Sequence, residues 1–273
     1  MSPKDSKSNL SSRKAQEAER RSAPSAAVVF EAIRREAVEE LSRANPALFW
    51  SGLAAGLSMG FSFIAEALLE AGLPDEAWRP LVSKLGYSVG FLIVILGRQQ
   101  LFTENTLTPV IHVLRERRVA VLLDALRLWG VVLGANVLGT MIFGTGLYFT
   151  DLFSPDQLAA LRSVADHAVG NSFHTTLVSA VFAGWLIALM VWLLPAADTA
   201  RVAVIIIITY LVGLGGFSHI IAGSAVTFYA LASGATGLLE ALGQFFLPTL
   251  IGNIIGGVGF VAALNYAQVS PES

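Results

Sequence analysis

Residues 202–231 read VAVIIIITYLVGLGGFSHIIAGSAVTFYAL, and the fold turns on this stretch. It begins as an apolar helix, is broken at Gly213, Gly215 and Gly216, and resumes beyond Phe217, Ser218 and His219. The uncharged sequence runs on to Leu239, 38 residues in all, with His219 its single interruption. A helix needs about 20 predominantly apolar residues to cross a bilayer core of about 30 Å. The stretch is therefore a crossing with a polar interruption near its middle.

The rest of the chain agrees with that class. Of its 273 residues 54% are apolar and 14% charged, against roughly 25% charged in ordinary soluble domains. Uncharged runs of 22, 23 and 31 residues separate Arg43 from Glu66, Arg127 from Asp151 and Asp166 from Asp198. A soluble enzyme, a nucleic-acid binder and a disordered scaffold are excluded. With no cysteine there is no disulfide framework and no thiolate chemistry. Nothing in the pattern calls for a metal or a cofactor.

Four segments are expected. Residues 1–24 form a polar, disordered cytoplasmic tail without a cleavable leader. Residues 25–45 hold an amphipathic helix, with Val29 or Phe30, Ile33, Val38 and Leu41 on one side, lying on the membrane surface or against the bundle. Residues 46–267 carry six crossings, and 268–273 end the chain in the cytoplasm. The crossings fall at about Ala47–Leu69, Leu85–Leu114, Leu128–Phe149, Thr175–Leu194, Val202–Leu231 and Phe245–Tyr266. The second resembles the fifth in being broken, at Arg98 to Glu104. Six crossings put 14 of the 18 Lys and Arg residues on the side of both termini. That side is cytoplasmic by the positive-inside rule, in a plasma (inner) membrane protein.

The two halves echo each other. Ser51 to Gly56 matches Ser179 to Gly184, Asn136 to Gly139 matches Asn253 to Gly256, and Phe102-Thr103-Glu104 aligns with Phe217-Ser218-His219. Three crossings per half make this an inverted 3+3 repeat, whose site lies where broken helices meet near the midplane. Non-helical backbone at that depth must be buried in protein or line a polar cavity. The half-helices beginning after Thr103 and Ser218 would point their amides inward, favouring an anion. An ionisable side chain within the membrane reads as functional by default, and imidazole ordinarily titrates near neutral pH. Anion entry is thus expected to couple to a proton at His219.

Six crossings with broken second and fifth helices, Leu101-Phe102-Thr103 at one break and Gly216-Phe217-Ser218-His219 at the other, resemble the formate/nitrite transporter family. The run Gly252-Asn253-Ile-Ile-Gly256-Gly257 adds to the likeness, which covers about Phe49 to Tyr266. The resemblance implies an aquaporin-like protomer in a homopentamer, with one pore per protomer for small monovalent anions and their protons. It implies transport rather than enzymatic activity. It assigns the family's central histidine to His219, the hydrogen-bonding loop threonine to Thr103, and a cytoplasm-side constriction to Leu101. Ser218 and Arg98 join them as pore residues, while Tyr87 and Phe91, with Tyr210 and Leu214 at the same spacing, are further wall candidates. Asn136 and Asn253 are read as hydrogen-bonding between helices or to the broken backbone. Glu104 is read as the partner of Arg98 across the loop, the alternative being that Arg98 faces the pore and replaces the missing fourth-span lysine as anion attractor. Gly184 stands where the family usually has Asn, Gln100 where an acid is common, and the fourth-span lysine is missing, with His167 the nearest basic residue.

Other features read as structure. Gly52, Gly56 and Gly60, Gly130 with Gly134, and Gly252 with Gly256 are small-residue packing steps; Trp50, Trp129, Trp192 and Tyr266 are interface anchors. The alternative function is an aquaporin-like channel for water or small neutral solutes. A serine protease at Ser224 and His219 is disfavoured, because five residues along a helix separate side chains by about 140°. An assembly or sensor subunit would have no use for two polar breaks.

Overall fold

The computed structural model describes residues 24–269. All but the last residue of the tail expected over 1–24, and most of the terminus expected over 268–273, lie outside them. All regular structure among the described residues is helical.

Helix α1, Ala26–Ser42, starts where the Ser25 side chain accepts the Val28 N–H. Its apolar face, Val29, Phe30, Ile33 and Ala37, is buried, while Val38 is exposed. Of the two placements expected for this helix, it takes the one against the bundle. There it packs on α4 (Thr108–Glu116) and α7 (Phe173–Ala197).

Five helical runs are long and apolar enough to cross a membrane: Asn45–Gly72 (α2), Arg79–Leu96 (α3), Val119–Tyr148 (α5), Phe173–Leu214 and Leu238–Val269 (α10). The fourth covers 42 residues but is not one rod. Asp198 takes a left-handed φ of 40°, and a short tight turn follows it, Asp198–Ala200. The chain then reverses, so that Arg201–Leu214 (α8) packs back along α7. Ile220–Ser233 (α9) is a shorter apolar helix. Between α5 and α7 lies a helix that hydropathy did not reveal, Pro155–Val169 (α6), begun by a reciprocal capping box between Ser154 and Gln157.

Both expected interruptions exist. The first separates α3 from α4 and turns at Arg98, with a positive φ of 52°. The second separates α8 from α9 and turns at Gly216, φ 60°, where glycine has no steric penalty.

Two close helix approaches hold the breaks in place. α2 packs on α5, and α7 packs on α10. A side-chain carbon on Gly56 would strike the backbone of Asn136, and one on Gly184 the backbone of Asn253. Without a hydrophobic force between helices in lipid, such backbone proximity supplies the packing. Gly130 and Gly134 behave differently from the expected packing step: their added carbons would meet nothing within 4 Å.

Candidate functional site: two broken helices joined at a histidine

Each break is bracketed by one buried asparagine. Asn136 Oδ1 accepts the Phe102 N–H at 2.9 Å, while its Nδ2 donates to the carbonyls of Gly52 at 2.7 Å and Gln100 at 2.9 Å. Asn253 Oδ1 accepts the Ile220 N–H at 2.8 Å, and its Nδ2 donates to the carbonyls of Ala180 at 2.8 Å and Ser218 at 2.9 Å. A serine completes each bracket. Ser51 Oγ accepts the Gln100 N–H at 3.1 Å, and Ser179 Oγ the Ser218 N–H at 2.9 Å. Backbone groups freed by the breaks thus find partners inside the protein, as a low-dielectric setting demands. These bonds equate Gln100 with Ser218, Leu101 with His219 and Phe102 with Ile220. The alignment of Phe102-Thr103-Glu104 with Phe217-Ser218-His219 is therefore three residues out of register.

His219 is the N-cap of α9: its Nδ1 accepts the Ala222 N–H at 3.1 Å. An accepting Nδ1 bears no hydrogen, so the network assigns the ring proton to Nε2. Nε2 lies 2.7 Å from Thr103 Oγ1 and donates to it. The imidazole is neutral in this arrangement, since a proton on Nδ1 would break the cap. The amides that the sequence reading offered to an anion are in large part engaged, Phe102 and Ile220 by the asparagines and Ala222 by the imidazole.

The Phe91 ring meets the imidazole edge-on at 5.0 Å, and Tyr87 follows at 5.5 Å from Phe91. His219 is 1% exposed, and Phe91, Leu101 and Thr103 are 0% exposed, which makes this a sealed point. Cavities lie on either side of it. One, of about 130 Å³, is lined by Glu66, Lys84, Tyr87, Ser218 and His219, among others. The other, of about 610 Å³, is lined by Glu36, Glu40, Arg98, Gln100, Glu104 and Arg201, among others. They sit at the two ends of Ser88–Leu96 within α3, which puts about 14 Å of helix between them.

The remaining candidates separate. Arg98 does not pair with Glu104; its positive φ turns the side chain toward α1, where it meets Glu36 at 3.3 Å and stays 74% exposed. It lines the larger cavity rather than the sealed point. Glu104 lines the same cavity, with Oε1 buried and unpartnered. Tyr210 donates its hydroxyl to the Leu81 carbonyl at 2.7 Å, and Leu214 is 40% exposed; neither lines a cavity described above. Trp129, expected at an interface, donates its indole N–H to the Asn105 carbonyl of the first break.

Sequence reasoning missed three groups. Glu40 on α1 accepts from Gln100 Nε2 at 2.9 Å, docking the helix on the first break; burial pushes its carboxyl up to about 7. Glu66 and Lys84 form an ion pair in the smaller cavity. The available signal was that Glu66 is the acid ending the first 22-residue uncharged run, deep in an apolar helix.

An apolar helical bundle with two cavities that each hold charged side chains, parted by a buried imidazole where broken helices meet, is the build of a membrane transport protein. The chain belongs to the formate/nitrite transporter family, whose model matches residues 27–267. It is 38% identical over 244 residues to "Inner membrane protein YfdC" of Escherichia coli (strain K12), covering 89% of this chain and 79% of that protein. It is 26% identical over 245 residues to "Formate channel BtFdhC" of Bacillus thuringiensis, covering 88% and 93%. Solved structures share the fold. "FNT family ion channel" has a TM-score of 0.74 at 19% identity, over 88% of this chain and 98% of that one. "Pentameric formate channel with formate bound" has a TM-score of 0.67 at 20% identity, over 83% and 98%.

Proposed function

We propose that this protein carries the small monovalent anions of weak acids, such as formate and nitrite, across a cytoplasmic (inner) membrane, one pathway per protomer of a homopentamer. The observation that carries the reading is the His219–Thr103 bond at 2.7 Å, buried between two cavities. Six crossings follow once the reversal at Asp198 divides Phe173–Leu214 in two and α9 completes the fifth. The matched Asn136 and Asn253 brackets support the inverted 3+3 repeat. Both termini are assigned to the cytoplasm from the Lys and Arg distribution.

In this reading the solute meets polar side chains in both cavities, Glu66, Lys84 and Ser218 in the smaller and Arg98, Gln100 and Arg201 in the larger, and an apolar ring between them, made by Phe91 and Leu101. A bare anion would lose its hydration there with nothing to replace it. The conjugate acid would not, because it crosses uncharged and exchanges hydrogen bonds with His219 Nε2–H and Thr103 Oγ1. Transport is therefore proton-linked, and the residues act by hydrogen bonding rather than by covalent chemistry. Influx of formate or nitrite into liposomes holding the purified protein, with a pH series, tests the reading. Water and glycerol flux without anion flux would instead establish a neutral-solute channel.

A further inference from the structure

Glu66 and Lys84 are unexplained by the pathway above. Glu66, on α2, is 3% exposed in an apolar helix, and its carboxylate bonds the Lys84 ammonium at the start of α3. Among the described residues that line the smaller cavity, Glu66 is the one carboxylate and Lys84 the one ammonium. The Lys84 side chain keeps 29% of its surface open, enough to be reached from the cavity. Removing one partner of a buried pair leaves an uncompensated charge, which is strongly unfavourable, whereas replacing it by an equivalent partner is not.

We propose that this pair is a proton-and-anion exchange site, specific for the anions of weak acids; the proposal rests on the transport reading. A⁻ arriving in the cavity takes the Glu66 carboxylate's place against the Lys84 ammonium, and the carboxylate takes a proton from hydronium in the cavity water. One O–H bond breaks in hydronium, leaving water, and one forms on Glu66. The ammonium exchanges one anion for another, and the proton and the anion together bring in no net charge. Transfer of that proton from the Glu66 carboxyl to A⁻ forms HA for passage by His219 and restores the ion pair. Because His219 Nδ1 is committed to capping α9, Glu66 is the carrier of the coupled proton. Chloride and nitrate are conjugate bases of strong acids and cannot take that proton from the Glu66 carboxyl, so they do not leave as neutral acids. The groups surrounding the carboxylate are Glu70 on α2, Lys84 and Tyr87 on α3, His167 on α6, and His219 at the α9 cap.

The test is anion flux in liposomes holding the full chain, comparing formate and nitrite with chloride and nitrate across a pH series. Glu66→Gln is expected to flatten the pH dependence and to reduce the preference for formate over chloride by at least about tenfold. Lys84→Met is expected to raise the half-saturating formate concentration by a similar factor. The double variant Lys84→Met/Glu66→Gln leaves no unpaired buried charge, and is expected to assemble and to lack both properties. Wild-type protein that carries no weak acid would overturn the transport reading itself. Wild-type flux whose pH profile and selectivity persist in Glu66→Gln, or in the assembled double variant, would overturn the exchange site alone.

Discussion

His219 Nε2 and Thr103 Oγ1 lie 2.7 Å apart across 116 residues of sequence, and this bond ties the cap of one half-helix to the other break. It fixes the ring orientation from one side while the Ala222 amide fixes it from the other. Thr103→Val keeps the shape and removes the acceptor, leaving a buried N–H unpaired at a cost of about 1–3 kcal/mol. His219→Phe loses the cap as well, worth about 1 kcal/mol. We expect His219→Phe to abolish proton-linked anion uptake while the oligomer still elutes intact, and Thr103→Ser to transport better than Thr103→Val. Liposome flux with size-exclusion chromatography checks both. Unchanged pH-dependent uptake by His219→Phe would remove this residue from the pathway.

The asparagine brackets predict a stability effect separate from transport. Asn136→Leu strips partners from the Phe102 amide and from the Gln100 and Gly52 carbonyls; Asn253→Leu does the same to Ile220, Ser218 and Ala180. Each buried group left unsatisfied costs about 1–3 kcal/mol. Both variants should therefore unfold in detergent at clearly lower temperature than wild type. Since the two brackets are equivalent in their bonds, the two losses should be similar. A large loss in one and none in the other would contradict that equivalence.

How much of this was readable beforehand depends on the range of the interaction. The long apolar helices and both breaks were legible, because the length of an uncharged run and a Gly-rich interruption are local properties. Helix α6 was missed because it is polar on one face and too short to cross, although Ser154 and Gln157 carried its capping signal. Contacts made by the fold were illegible. Glu104 lies six residues from Arg98 and looked like its partner, yet the left-handed backbone at Arg98 directs the side chain to Glu36, far away in sequence. Shared phenylalanines suggested one register between the breaks, whereas the hydrogen bonds of Asn136 and Asn253 set another. Tyr210 repeats the spacing of Tyr87, but its hydroxyl is committed to the Leu81 carbonyl.

Glu40 makes the docking of α1 sensitive to pH. Burial raises its carboxyl from the usual carboxylate value of 4.5 to about 7. A docked group with a raised value holds its proton where the released one has lost it. Docking is thus fully favoured below about 4.5 and weakens as pH climbs through about 7. Hydrogen exchange over Ala26–Ser42 should accordingly be faster in mildly alkaline than in mildly acidic buffer, after correction for intrinsic rates. Glu40→Gln, which stays neutral and can still accept from Gln100, should remove most of that difference. An equal pH response in the variant would place the sensitivity elsewhere.

Gly184 offers the sharpest separation between packing and chemistry. Family resemblance leads one to expect Asn at this position, but here any side-chain carbon would run into the backbone of Asn253. That same residue holds Ile220 and Ser218 on either side of the histidine. Overpacking typically costs about 1–3 kcal/mol, and the displacement falls on the bracket of the second break. Gly184→Ala and Gly184→Asn should therefore both lower stability and slow transport together, and Asn should not restore a missing function. Gly130→Ala supplies the contrast, since its added methyl group meets nothing within 4 Å in the protomer; its unfolding should shift by no more than about 0.5 kcal/mol. Thermal unfolding and flux measured on the same preparations check the pair. A Gly184→Ala protein as stable as Gly130→Ala would mean that α7 and α10 have room to part without disturbing Asn253.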